Sequence, residues 1–241
     1  MKQISLSILL TAGTAGAVSV TTDQIVNAFI QSESVSPLRA TISMSVLRPG
    51  QLTRNVMEIV SDGKGRSLVT VRSPAKLAGQ AFLRDGASMQ MYHPAFKKVL
   101  TLPPGTQSDG FLGSDLSISD FTGGDYHANF TPGKVVQSAG SASVDLITKV
   151  DAPIPYGKLN MSVRLPGFTP QSVTFYDQRG KAVKRLSFAA FQTAQGRPFP
   201  SKLVVYDLLR PGSRTILEYT SLNFAPVPPA CFTRAALGKG C

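Results

Sequence analysis

The residues that could do chemistry in this sequence are few: two histidines, two cysteines and a loose series of aspartates. His93 precedes Pro94 and His127 sits in a glycine-rich stretch; neither has a partner at nucleophile or metal-ligand spacing. Histidine titrates unperturbed near neutrality, but a lone one is an acid–base group without a task. No G-x-S-x-G elbow, Walker loop, G-x-G-x-x-G or H-E-x-x-H occurs. Asp109, Asp115, Asp120 and Asp125 lack the alternate spacing and closing glutamate of a calcium loop. Ser114-Asp115 and Ser119-Asp120 read instead as caps of short turns. These residues imply no enzyme, no metal and no cofactor. Cys231 and Cys241 lie close together near the end of the chain, where an oxidising compartment lets them close a small loop. A metal site would need more ligands than two thiols.

What remains is apolar, and it centres on residues 84–121. Asp85-Gly86 is a hairpin turn, after which Met89 and Met91 alternate with Ser88, Gln90 and Tyr92 as in a strand. His93-Pro94 stops it, and a second short strand, Lys97 to Leu102, ends at Pro103-Pro104-Gly105. Beyond it Phe111, Leu112, Leu116, Ile118 and Phe121 stand among Gly, Ser and Asp without strand alternation. An exposed loop carrying so many large apolar groups would forgo their burial energy, so this loop must fold onto an apolar surface. Met44, Met57, Phe82, Met89, Met91 and Met161 offer that surface either as plain core or as the wall of a ligand cavity.

The order D-G-x-x-x-x-M-Y-x-P, a basic pair and F-L-G-S-D-L-S-I-S-D-F resembles the LolA-like outer-membrane lipoprotein-sorting protein family. Its carriers here are Asp85, Gly86, Met91, Tyr92, Pro94, Lys97, Lys98, Phe111, Gly113, Ser114, Asp115, Asp120 and Phe121. The likeness continues through VTFYDQRGKAVKRLSF and GRPFPSKLVVYD, although this chain lacks the tryptophans expected on such strands. The resemblance implies a mainly β fold, an incomplete antiparallel β-barrel with an N-terminal helix and a short helical or loop lid. It also implies a hydrophobic groove for acyl chains of a lipoprotein or lipid, formed by Met44, Met57, Phe82, Met89, Met91 and Met161 and closed by Phe111, Leu112, Leu116 and Phe121. An inner-membrane transporter and an outer-membrane acceptor would be the partners of such a carrier. A carrier for another hydrophobic molecule is the runner-up, and a structural envelope protein with a filled barrel is the bland alternative.

The rest of the chain must position these residues. Met1-Lys2-Gln3, an apolar run and Ala15-Gly16-Ala17 read as a signal peptide cleaved near Ala17, which predicts a periplasmic protein with one domain over 18–241. Thr21 to Glu33 reads as an amphipathic helix capped by Thr21 or Thr22, with Ile25, Val26, Phe29 and Ile30 on its apolar face. From Arg39 the pattern has period two, broken by Pro49-Gly50, Asp62-Gly63, Pro166-Gly167, Arg179-Gly180, Arg197-Pro198 and Pro211-Gly212. Roughly a dozen short strands in a meander are too wide for one flat layer and should curl. Lys and Arg exceed Asp and Glu by 25 to 14, a formal charge of +11 that favours acidic partners. The bases are scattered along strands rather than gathered among aromatics, which argues against nucleic acid.

Overall fold

The computed structural model describes residues 19–32, 36–86, 88–103, 110–117, 126–152 and 154–241. The predicted signal peptide, Ile118, Asp109, Asp120, Phe121 and Asp125 lie outside them. The helix α1, Thr22–Ser32, begins as its sequence dictates. Thr21 accepts a hydrogen bond from the Gln24 N–H at 3.3 Å, and Gln24 Oε1 accepts one from the Thr21 N–H at 2.9 Å, a reciprocal cap.

Among the described residues thirteen strands follow. They are β1 (Leu38–Arg48), β2 (Gln51–Ser61), β3 (Arg66–Ser73), β4 (Ala81–Asp85), β5 (Ser88–His93) and β6 (Lys98–Thr101). After a short helix α2 (Tyr126–Asn129) come β7 (Phe130–Ser138), β8 (Ser141–Thr148), β9 (Lys158–Arg164) and β10 (Thr169–Tyr176). The last three are β11 (Ala182–Ala194), β12 (Arg197–Asp207) and β13 (Arg214–Asn223). They form a single antiparallel sheet in the order β6-β5-β4-β3-β2-β1-β13-β12-β11-β10-β9-β8-β7. Every pairing is a hairpin except β1 with β13, which closes the middle of the sheet. The outer strands β6 and β7 do not pair with each other, so the barrel is incomplete.

Period-two alternation sorts the side chains onto two faces. On the inner face, Ile42, Met44, Met57, Val69, Val71, Phe82, Val205 and Leu217 form one cluster. Ala142, Val144, Leu146, Leu159, Met161, Val163 and Val173 form another, covered by Ile25, Val26 and Phe29 of α1. Leu186 on β11 packs against both. The opposite faces of β2–β4 turn Val60, Leu68, Ala81 and Leu83 outward, where the C-terminal segment covers them with Cys231, Phe232, Ala236 and Leu237.

That C-terminal strap is closed by a Cys231–Cys241 disulfide, the predicted bond. Arg66 lies over the Phe232 ring at 5.0 Å. Gly238, at φ +83°, comes so close to Tyr92 that a Cβ there would stand 2.6 Å from the ring. Tyr92 therefore serves the outer face, as a platform for the strap.

Candidate functional site

The apolar cross-loop reaches the inner face, as its composition requires. Residues 110–117 fold into a small closed hairpin: Gly110 bridges Ser117, the Phe111 N–H donates to the Leu116 carbonyl at 2.7 Å, and the Ser114 N–H donates to the Phe111 carbonyl at 2.9 Å. Leu112 and Gly113, at φ +50° and +75°, make the reversal, and a leucine in the left-handed region is strained unless its surroundings hold it. Phe111 and Leu116 then point into the first inner cluster, where the Phe111 ring meets Phe82 edge-on at 4.9 Å. The lid rests directly on the sheet. Met44, Met57 and Val71 beneath it have no exposed surface.

Asp115 fixes this lid to the sheet. Its side chain is 2% exposed, with Arg48 Nη1 donating to Oδ2 at 2.9 Å and Arg48 Nη2 2.9 Å from Oδ1. The Thr215 hydroxyl donates to Oδ2 at 2.8 Å and accepts the Asp115 N–H at 2.9 Å, while Arg48 also donates to the Gly113 carbonyl at 2.9 Å. Arg210, from the β12–β13 turn, approaches Oδ1 at 3.8 Å and pairs chiefly with Asp207, which holds its guanidinium above the ordinary value. Sequence reasoning assigned Ser114 and Asp115 to a helix cap. Residues 114–117 are not helical; Asp115 is a latch, and the Ser114 hydroxyl turns back to accept the Leu116 N–H at 3.2 Å.

Of the residues singled out from sequence, the structure brings Met44, Met57, Phe82, Met91, Phe111, Leu112 and Leu116 into the first inner cluster. Met161 belongs to the second, beneath α1. Met89 is buried on the same face as Phe82 and Met91, in register with Arg84 and outside both clusters. A cleft of about 250 Å³ opens between the start of α1, α2, β7 and β8, lined by Asp23, Val26, Tyr126, Phe130 and Lys149. The His93 ring packs on Phe96 at 4.7 Å, and the His127 carbonyl accepts from Lys149 at 2.9 Å.

Three polar residues on the inner face escaped sequence reasoning. Thr215 is one. Asn55, opposite Met44 in register, is completely buried, and neither atom of its amide has a hydrogen-bond partner. An unmet buried amide costs about 1–3 kcal/mol. Lys184 on β11 is 7% exposed, its ammonium donating to the Tyr156 hydroxyl and lying 4.4 Å from the Phe175 ring centre and 4.8 Å from that of Tyr156. Each breaks an alternation on its own strand, which is the signal that could have found it: Asn55 precedes Met57, Lys184 precedes Leu186, and Thr215 precedes Leu217.

Among the described residues, an open thirteen-stranded antiparallel sheet with one long helix is a LolA-like fold. The structure aligns with a domain named for outer-membrane lipoprotein sorting from Vibrio parahaemolyticus at TM-score 0.78 and 20% identity, covering 90% of this chain and 97% of that one. It aligns equally with a DUF1329 family protein from Desulfovibrio piger (TM-score 0.79, 20% identity, 89% and 96% covered). A LolA superfamily protein from Nitrosomonas europaea gives TM-score 0.77 at 20% identity, with 91% and 100% covered. At this identity the likeness is one of fold. A family model described as "Uncharacterized protein" matches residues 63–239, and the chain belongs to that family. No curated protein matches the sequence.

Proposed function

We propose that this protein is a periplasmic carrier that shields acyl chains of a lipoprotein or lipid on the inner face of its sheet, in transit toward the outer membrane. The observation that carries the reading is the lid. Among the described residues, the apolar surface of β1–β4 is covered by the 110–117 hairpin, which is latched to the sheet through Asp115. Phe111 and Leu116 occupy the place an acyl chain would take. An acyl chain gains about 0.8 kcal/mol per CH₂ removed from water, so a chain of ordinary length can displace two side chains worth about 1.5–3 kcal/mol each. Asn55 supplies an unmet amide in the same face, able to pair with the ester or amide carbonyl at the head of such a chain.

Cargo and lid therefore compete for one surface. Leu116→Asp, which puts a charge where the closed lid would desolvate it, should open the lid and tighten binding of a fluorescent fatty-acid probe. A second reading, a filled structural scaffold, is favoured by the complete burial of Met44, Met57 and Val71. It predicts that folded Leu116→Asp protein loses stability and gains no probe binding, and that result would overturn the carrier.

A further inference from the structure

The topology sends every other hairpin to the same end of the sheet. The connections after β1, β3, β5, β8, β10 and β12 share one rim, and those after β2, β4, β7, β9 and β11 share the other. Eight large apolar side chains remain exposed among the described residues, and they are not scattered. Phe96 (69% exposed), Val150 (90%) and Leu209 (51%) sit in turns of the first rim, and Leu52 (52%) flanks another. Ile147 and Tyr206 are exposed on strand ends next to that rim, Leu100 stands inside the short edge strand β6, and Val136 lies toward the other rim. Isolated exposed hydrophobics need no explanation, but a set drawn to one edge marks an interaction surface.

The same turns are basic. Lys97 and Lys98 follow Phe96, Lys149 precedes Val150, and Arg179 and Lys181 occupy the 177–181 turn, while Arg210 beside Leu209 is paired with Asp207. The carboxylates there are largely committed: Asp115 to Arg48, Asp207 to Arg210, and Asp177 to the N–H groups of its own turn, with Asp151 left exposed. Apolar tips on these turns, each beside a lysine or arginine, match a surface with an anionic outer layer and an apolar interior just beneath. We infer that this rim docks the protein on an anionic phospholipid bilayer, with Phe96, Val150 and Leu209 entering the acyl boundary and the neighbouring bases meeting the headgroups. The inference stands apart from the carrier reading, because it concerns the rim and not the covered face.

The chain has no tryptophan, so a single introduced one reports on its own position. Phe96→Trp and, as a control toward the opposite rim, Val136→Trp replace exposed side chains and leave the core untouched. With phosphatidylethanolamine–phosphatidylglycerol vesicles, the emission of the Phe96→Trp protein should shift to the blue while that of Val136→Trp stays in place. The shift should weaken in high salt and be small with phosphatidylcholine vesicles. Each base at an anionic surface is worth about fivefold, so adding Lys98→Ala and Lys181→Ala should weaken vesicle binding by about 25-fold. No blue shift, an equal shift at both positions, or equal binding to neutral vesicles overturns the proposal. Binding of polyglutamate without binding of vesicles also overturns it, by assigning the rim to an acidic protein. Failure of the carrier reading is read separately, in the fatty-acid probe.

Discussion

Replacing Asp115 by alanine tests whether the lid is held by its latch. The substitution removes the hydrogen bond from Arg48, the one from the Thr215 hydroxyl and the ion pair, all within an environment where the carboxylate is 2% exposed. Breaking a buried pair costs about 3–5 kcal/mol when the surviving charge is stranded. Arg48 is not stranded, since it is 20% exposed and keeps the Gly113 and Leu47 carbonyls. Two charge-assisted hydrogen bonds at about 1.5–3 kcal/mol each, discounted for that exposure, leave about 2–3 kcal/mol. The ratio of closed to open lid should fall about 30–150-fold, at a factor of ten per 1.4 kcal/mol.

Hydrogen exchange reads this directly. The amides of Phe111, Ser114 and Asp115 bond within the lid or to Thr215, so their protection should drop by that factor, while amides in the β1–β2 and β12–β13 ladders hold theirs. If the lid blocks the binding face, the apparent affinity for a fatty-acid probe should rise by up to the same factor, because it scales with the open fraction. Protection lost equally across lid and sheet would mean that Asp115 supports the whole fold. Unchanged protection at Asp115 would mean that apolar contacts alone hold the lid. Either result refutes the latch.

Cys231→Ser with Cys241→Ser should lower stability by about 2–3 kcal/mol, read from denaturant midpoints, and should increase binding of an apolar dye to the uncovered outer face; no change would separate the strap from the disulfide. Gly238→Ala should cost about 1–3 kcal/mol, because the new Cβ meets Tyr92 at 2.6 Å and φ +83° disfavours alanine; an unchanged melting curve would refute that close approach. Burial alone would push the Asp62 carboxyl up, but the Arg66 guanidinium and the N–H groups of Lys64 and Arg66 outweigh it and hold it below the ordinary 3.8. A depressed carboxyl contributes stability that is complete above 3.8 and fades as pH falls through the lower folded value. Asp62→Asn should therefore be less stable than the parent at neutral pH, with the gap closing in acid. A gap that stays constant with pH would assign the loss to packing.

Most of the strands were legible because apolar and polar residues alternate and the turns carry Gly, Pro or Asp. The exceptions are physical. Pro132-Gly133 has the composition of a loop, yet β7 begins at Phe130 and runs through that pair. It is an edge strand, its register shifts between Pro132 and Val135, and an edge tolerates a residue that cannot donate. Strand β12 begins at Arg197, earlier than its sequence suggests, and carries Pro198 and Pro200 in a sheet interior. Those prolines face only β11, because β13 pairs with β12 from Lys202 onward, so no ladder donor is missing on the other side.

The lid shows where pattern reading stops. Its apolar content was enough to require a covered surface, and alternation was enough to place Met44, Met57, Phe82 and Met91 on one face. What holds it there was hidden, because an ion pair between Arg48 and Asp115, 67 positions apart, leaves no local spacing to read. The traces that do exist are the inner-face positions where an apolar residue is expected and a polar one stands. Thr215 receives the latch and Lys184 lies in an aromatic cage, so both are accounted for within the fold. Asn55 is not, and a plain core would be more stable with leucine there. Under the proposed carrier function, the partner of that amide is the head carbonyl of a cargo chain admitted when the lid gives way, and Asn55→Leu should then stabilise the free protein while weakening binding of a fatty-acid probe.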